Sequence, residues 1–231
     1  SWDVSQITQM HSVFAGATSF NQPLNSWDVS QVTSFRGEAP YTDEGMFAGA
    51  TSFNQPLDAW NMVSATDMRY MFNGATAFNQ PLNSWNFSNV TNTRGMFQNA
   101  SAFNQPLNNW DVSNVTDFRE MFFSATAFNR NLGAWQIQDG ALMTNVFRDS
   151  GLTSQNYADI LAAWSALIPS ATGIDLGIVS TTYCDTAESA RTTLIDTHLW
   201  TITDLGPEVC AAEVVPPTSV VSTGGGSGSS G

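Results

Sequence analysis

Two histidines, two cysteines and seven arginines are the side chains that could do more than pack in this 231-residue chain. No lysine occurs, so every strong positive charge is a planar, five-donor guanidinium. General acid–base work usually recruits a histidine or a paired carboxylate. His11 and His198 lie at opposite ends of the sequence. A thiol nucleophile would have to be Cys184 or Cys210 with His198 as its base, and no third group is evident to orient that base. No G-x-S-x-G, H-E-x-x-H, P-loop or G-x-G-x-x-G motif occurs. Two cysteines without nearby histidines fall short of four zinc ligands. No six-oxygen calcium cage is visible either. The expectation is therefore no enzyme, no cofactor and no resident metal.

The arginines carry a different signal. Arg36, Arg69, Arg94 and Arg119 recur at intervals of 33, 25 and 25, with His11 one step earlier. A second series, Asp28, Asn61, Asn86 and Asp111, keeps the same intervals, with Asp3 before it and Gln136 after it. Ser5, Ser30, Val63, Ser88, Ser113 and Gln138 form a third. Planar forks in a row suit bidentate capture of carboxylate or sulfate. The Asp/Asn and Ser series suit hydrogen bonding to a partner protein or glycan. The quieter reading of both is self-satisfaction: arginine paired with Asp67, Asp117 and Glu120, and Asn and Ser pairing among themselves. Stacked guanidinium groups about 5 Å apart repel by about 1 kcal/mol per pair even in water, so something must offset them.

These series need a scaffold that repeats, and the apolar residues supply it. Trp occurs at 2, 27, 60, 85, 110 and 135, and Phe at 14, 47, 72, 97, 122 and 147. Six copies of a 25-residue unit follow, W-D-V-S-x-V-T-x-M-x-x-M-F-x-x-A-T-x-F-N-Q-P-L-x-x. The second copy carries eight extra residues, Glu38 to Gly45, beside Arg36, and they include Tyr41. Leu24, Trp27, Val29 and Val32 have the L-x-x-L-x-L spacing of a leucine-rich repeat. Trp27/Val29 alternation predicts a short strand. Met68, Met71 and Phe72 predict a helical turn, with Thr66 as its N-cap. Asn79-Gln80-Pro81 predicts a closing bend, in which the asparagine bonds local backbone. No single unit can bury its own apolar face, so stacking must supply the core. The expected fold is an α/β repeat solenoid: a leucine-rich-repeat-like right-handed coil of six rungs, each with one strand and one helical turn, closed by a small C-terminal α/β cap.

The recurring Trp110-Asp111-Val112-Ser113-Asn114-Val115-Thr116 unit, with Met121-Phe122 and Ala125-Thr126-Ala127-Phe128-Asn129, resembles the BspA-type leucine-rich-repeat surface proteins of bacteria. The resemblance covers residues 1–150. The segment after it, with Ile160-Leu161-Ala162-Ala163-Trp164-Ser165 and Trp200-Thr201-Ile202-Thr203-Asp204, resembles the block that often follows such arrays. It implies a secreted or surface-displayed, non-catalytic module for adhesion or protein binding. Two alternatives stand beside it: a structural subunit that self-associates into a filament or matrix, and an acidic-glycan-binding module of a larger surface protein. In such a compartment Cys184 and Cys210 form one candidate disulfide.

The organisation reads as residues 1–150 for the repeats, with the insertion at 38–45, then 151–210 for the cap and 211–231 for a Pro/Gly/Ser-rich linker. In the cap, Tyr157, Ile160, Leu161, Trp164 and Ile168 share a helical face, with Ser154 as cap candidate and Pro169 as stop. Ile174 to Tyr183 predicts a strand, Asp185/Glu188 a capping box opening a helix to about His198, and residues 200–203 another strand. The start on Ser1-Trp2-Asp3 reads as an excised or processed piece. A formal charge of -13 argues against a nucleic-acid or anionic-lipid partner, and no apolar run is long enough for membrane insertion.

Overall fold

In the computed structural model, residues 2–37, 44–167 and 171–210 are described. Up to about residue 150 the six 25-residue units lie side by side in parallel. One residue of each unit bridges to its counterpart in the next: Gln9, Ser34, Asp67, Asn92, Asp117 and Leu142. Around each bridge, N–H groups alternate between two jobs. Met68, Tyr70, Phe72 and Gly74 donate to the carbonyls of Asn92, Arg94, Met96 and Gln98 in the next unit, at 2.7–2.9 Å. Between them, Met71, Asn73 and Ala75 donate three residues back, to Met68, Tyr70 and Phe72.

That alternation replaces both elements expected within the unit. The helical turn over residues 68–72 does not form, because Tyr70 has φ 57° and Gly74 φ 68°. The equivalent Ser12 and Glu120 are left-handed too, and a right-handed helix cannot pass through such residues. The strand at Trp27/Val29 does not form either. The Trp27 N–H closes a turn onto Leu24, and the Val32 N–H one onto Val29, so neither is free for a ladder.

Thr66 is not an N-cap. Its N–H and its hydroxyl both donate to the Thr33 carbonyl, at 2.8 and 3.1 Å. Thr33, Thr91 and Thr116 repeat the hydroxyl bond to the unit before them. The bend asparagine also works between units rather than within one. Asn79 Oδ1 accepts the Asn104 N–H and the Gln105 amide, both at 2.9 Å, and Asn21, Asn54 and Asn104 serve the next unit in the same way. The indole N–H groups of Trp60, Trp85, Trp110 and Trp135 each reach the leucine carbonyl three residues before the preceding repeat tryptophan, as Trp85 does to Leu57 at 2.9 Å. Polar groups that the turns leave over are thus satisfied by the neighbouring unit, which fixes the register of the stack.

The core follows from the same register. Phe14, Phe47, Phe72, Phe97, Phe122 and Phe147 stack with ring centroids 5.5–6.1 Å apart. Phe20, Phe53, Phe78, Phe103 and Phe128 form a second column at 5.8–6.3 Å. The two columns touch within each of the first five units, as Phe97 and Phe103 do at 3.9 Å. Met68, Met71, Met96 and Met121 fill the space beside them and are fully buried. Each buried aromatic contributes about 1.5–3 kcal/mol of burial free energy.

The last unit is covered by a mixed segment. Helix α1 (Ser154–Leu167) buries Tyr157, Ile160, Leu161 and Trp164. Its cap is Thr153, whose hydroxyl accepts the Asn156 N–H at 3.4 Å. Ser154 instead bonds Thr182. Ile168 and Pro169 lie outside the described residues. Strand β1 (Asp175–Ile178) continues the stack, since the Asn145 N–H donates to Leu176. Strand β2 (Tyr183–Cys184) and a short 3-10 turn (Asp185–Ala187) lead into helix α2 (Glu188–Asp196). The expected capping box is not made: Glu188 takes the Tyr183 hydroxyl, and neither helical segment has a side-chain cap. Strand β3 (Thr201–Thr203) runs parallel to β1, and β4 (Pro207–Glu208) parallel to β2. Buried Asp204 accepts bonds from Arg191 at 2.9 Å and Tyr157 at 3.1 Å. Cys184 and Cys210 are joined as a disulfide with Cα atoms 5.3 Å apart. Among the described residues, no helix is long and apolar enough to cross a membrane.

Candidate functional site

Because units stack in register, any outward residue type that recurs becomes a column. The first column is Asp3, Asp28, Asn61, Asn86 and Asp111, all exposed. Each carboxyl or amide oxygen accepts the backbone N–H two residues on, at 3.0–3.2 Å. This local ring tethers one oxygen and leaves the other side of the group facing water. Hydrogen bonds from Ser30 hold the Asp28 carboxyl below its ordinary range. Those from Ser113 do the same for Asp111. The column therefore keeps its negative charges ionised at neutral pH. Beside it run Ser5, Ser30, Ser88 and Ser113, interrupted by exposed Val63.

The arginine column follows the quieter of its two sequence readings. Its guanidinium groups are about one-third exposed, and each meets an acid. Asp67 lies between two of them, 3.5 Å from Arg36 Nε and 2.8 Å from Arg69 Nη2. Arg119 grips Asp117 at 3.0 and 2.7 Å through Nε and Nη2. Arg94 reaches Glu120 in the next unit at 3.3 Å and lies over the Tyr70 ring, 5.7 Å from its centroid. His11, at the head of the column, contacts the Ser34 hydroxyl instead. The repulsion expected of stacked arginines is thus offset by Asp67 and Asp117 at bridging positions and by Glu120 three residues beyond one. What faces outward is a mixed-charge strip. Tyr41 and residues 38–43 of the insertion lie outside the described residues.

Asp117 is the most enclosed member of the strip, its side chain 8% exposed. Burial pushes its carboxyl up, but hydrogen bonds from Arg119, with the charges of Arg119 and Arg94, outweigh that and leave it lowered. A carboxyl lowered in the folded state stabilises the fold above its unfolded value, about 3.9, and loses that contribution as pH falls through the folded value. Thermal melts taken from pH 5 down to pH 2 should therefore show stability falling, and Asp117→Asn should fall less steeply over that window. Equal slopes for both proteins would remove Asp117 from the acid response.

The bridging acids and the asparagine column were readable as period-25 recurrences. The pairing of the acids with arginine was readable too, whereas the partners of the bend asparagine were not, since nothing in one unit says that its neighbour supplies the bond. Among the described residues, no group of three or more His, Cys, Asp and Glu is placed to hold a metal ion. His198 is buried, and the thiols of Cys184 and Cys210 are engaged with each other.

A family model described as Mycoplasma protein of unknown function, DUF285, matches residues 1–62 and 42–160. The chain belongs to this family. The two DUF285 matches overlap at residues 42–62, a stretch that begins within the insertion, and the second ends inside α1. The family thus spans all six units and the start of the segment that covers them. It contains both columns and excludes the disulfide. No curated protein and no solved structure matches the chain.

Proposed function

We propose that the protein is a non-catalytic binding module displayed outside the cell, folded as a leucine-rich-repeat-like, right-handed solenoid of the BspA type. Its partner-facing surface is the pair of columns built on Asp28, Asn61, Asn86 and Asp111 and on Arg36, Arg69, Arg94 and Arg119. The observation that carries this is the division of labour within each unit. Thr, the bend Asn and Trp spend their polar groups on the neighbouring unit, whereas the Asp/Asn column bonds only its own turn and stays open to water. Recurring exposed side chains on a stiff repeat body form a multivalent surface, the usual way such bodies bind. The disulfide supports an oxidising, extracellular compartment. Membership of DUF285 fits this reading and names no ligand.

A protein partner is favoured over an acidic glycan. Asp67, Asp117 and Glu120 already occupy the arginines, which leaves little net positive field to draw a polyanion. The test is binding of the whole chain to immobilised fibronectin, laminin, collagen and heparin, beside a variant with Asp28, Asn61, Asn86 and Asp111 all changed to Arg. Retention on a protein ligand that the variant loses supports the reading. Equal behaviour of the two proteins on every ligand counts against these columns. Retention on heparin alone, lost in Arg69→Ala with Arg94→Ala, would replace the protein partner with an acidic glycan.

A further inference from the structure

Four segments of the repeats read Asn-x-Ser/Thr, the acceptor motif for sugar transfer to an asparagine amide: Asn86-Phe87-Ser88, Asn89-Val90-Thr91, Asn99-Ala100-Ser101 and Asn114-Val115-Thr116. All four asparagines are exposed. At three of them, the amide nitrogen and the hydroxyl are both spent on the preceding unit. Asn89 Nδ2 donates to the Val63 carbonyl at 2.8 Å, and the Thr91 hydroxyl to that of Thr66 at 3.2 Å. Asn114 Nδ2 donates to the Ser88 carbonyl at 2.7 Å, and the Thr116 hydroxyl to that of Thr91 at 3.2 Å. Asn99 Nδ2 donates to Asn73 Oδ1 and the Ser101 hydroxyl to the Thr76 carbonyl, both at 3.4 Å.

Asn86 is the exception. Its Oδ1 accepts the Ser88 N–H at 3.0 Å and the Ser88 hydroxyl at 2.7 Å. Its Nδ2 has no acceptor among the described residues and is left to solvent. Phe87 pins the turn from beneath, 1% exposed and with its ring centroid 3.7 Å from that of Trp110. The column explains why this happens only here. Asp28 and Asp111 build the same turn with Ser30 and Ser113, but a carboxylate has no amide nitrogen. Asn61 builds it with Val63, which has no hydroxyl. A donor already placed on Oδ1 also suits the chemistry, because it stabilises the imidate oxygen that develops as Nδ2 gives up a proton.

We propose that Asn86 is a glycosylation site, whose Nδ2 takes a sugar from a donor that carries it on a phosphate leaving group. Nδ2 attacks the anomeric carbon. The N–C bond forms, the C–O bond to phosphate breaks, and the phosphate leaves with the electron pair. The Nδ2 proton passes to a base of the transferase. At Asn89, Asn99 and Asn114 the same step must first open bonds that tie two units together. The assignment does not rest on the partner-binding reading. Where both hold, a sugar at Asn86 stands in the middle of the Asp/Asn column and covers it.

The test treats the folded full chain with UDP-glucose and a soluble asparagine glucosyltransferase, and separately with a lipid-pyrophosphate oligosaccharide and a membrane oligosaccharyltransferase. Peptide masses then locate the sugar. It should appear at Asn86 with at least one donor, and the donor that works names the source. Transfer to Asn89, Asn99 and Asn114 should be at least about tenfold slower, since hydrogen bonds to the neighbouring unit must open there. A tryptic digest of the same chain should lose that preference. Ser88→Ala should abolish transfer to Asn86 in the folded chain, and Ser88→Thr should keep it. A folded chain unmodified at Asn86 with both donors would overturn the proposal, whatever the digest does. Equal rates at Asn86 and at any of the other three asparagines of the folded chain would overturn it as well.

Discussion

Phe97→Ala should destabilise the protein by about 4 kcal/mol, the range for emptying a buried aromatic site. Phe97 is fully buried. It stacks on Phe72 at 5.5 Å and on Phe122 at 5.7 Å, and it lies 3.9 Å from Phe103 within its own unit. Cutting it back to alanine leaves a gap bordered by rings that are themselves held in stacks. Those rings cannot relax into the space without leaving their own partners, so the cost falls at the upper part of the range. In a domain of this size the midpoint should drop by roughly 10 °C. Phe20→Ala makes the internal comparison. Phe20 is only partly buried, with Phe53 on one side of it and no equivalent ring on the other. Its loss should cost clearly less. Equal costs at the two positions would show that stacking between units adds nothing to burial.

Reduction of the Cys184–Cys210 disulfide, or Cys184→Ser with Cys210→Ser, is the second large effect. The bond closes a sequence separation of 26 residues, and in the chain-entropy model such a crosslink stabilises by roughly 3.5 kcal/mol. It ties the β2/β4 pair to the segment that covers the sixth unit. Loss should therefore be felt first at the Tyr183 and Leu205 amides, which bond Gly206 and Thr181. It should reach the six units through exposure of Trp164 and Phe147. Melting with and without reductant, read by hydrogen exchange at those amides, checks it. Superimposable melts would show that the bond contributes nothing to the folded state.

What the sequence made legible was position, and what it hid was partnership. The period of 25 is visible because each Trp and Phe must meet its own counterpart, so the residue type recurs. The Met68, Met71 and Phe72 spacing looked helical because a left-handed residue at Tyr70 reproduces the same inward-facing pattern without helical bonds. Nothing in tyrosine announces φ 57°. Thr66 looked like an N-cap because threonine bonds backbone in either setting, and only the carbonyl of Thr33, 33 residues away, tells them apart. The arginine column's own pairing was legible, because Asp67 and Asp117 sit two residues from Arg69 and Arg119 and Glu120 lies nearby; the structure makes these pairs, Glu120 with Arg94 of the unit before. In the closing segment, Ser154 was one residue from the true cap, a slip within the usual uncertainty of helix ends. The face proposed for a partner is the remainder after the stack has taken its share, which a single sequence cannot subtract.

Deletion of one whole unit measures the register directly. Removing residues 85–109, which is 25 residues, should join Asn83-Ser84 to Trp110 with every column intact, and should give a protein that still unfolds in a single cooperative transition. Thr116 would then bond Thr66, and Asn104 would be replaced by Asn79 beneath Asn129. Removing residues 85–104, five fewer, shifts every column against its partner and should abolish cooperative unfolding. If both deletions fold equally well, or the 25-residue deletion alone fails, units stacked in register are not what holds this chain together.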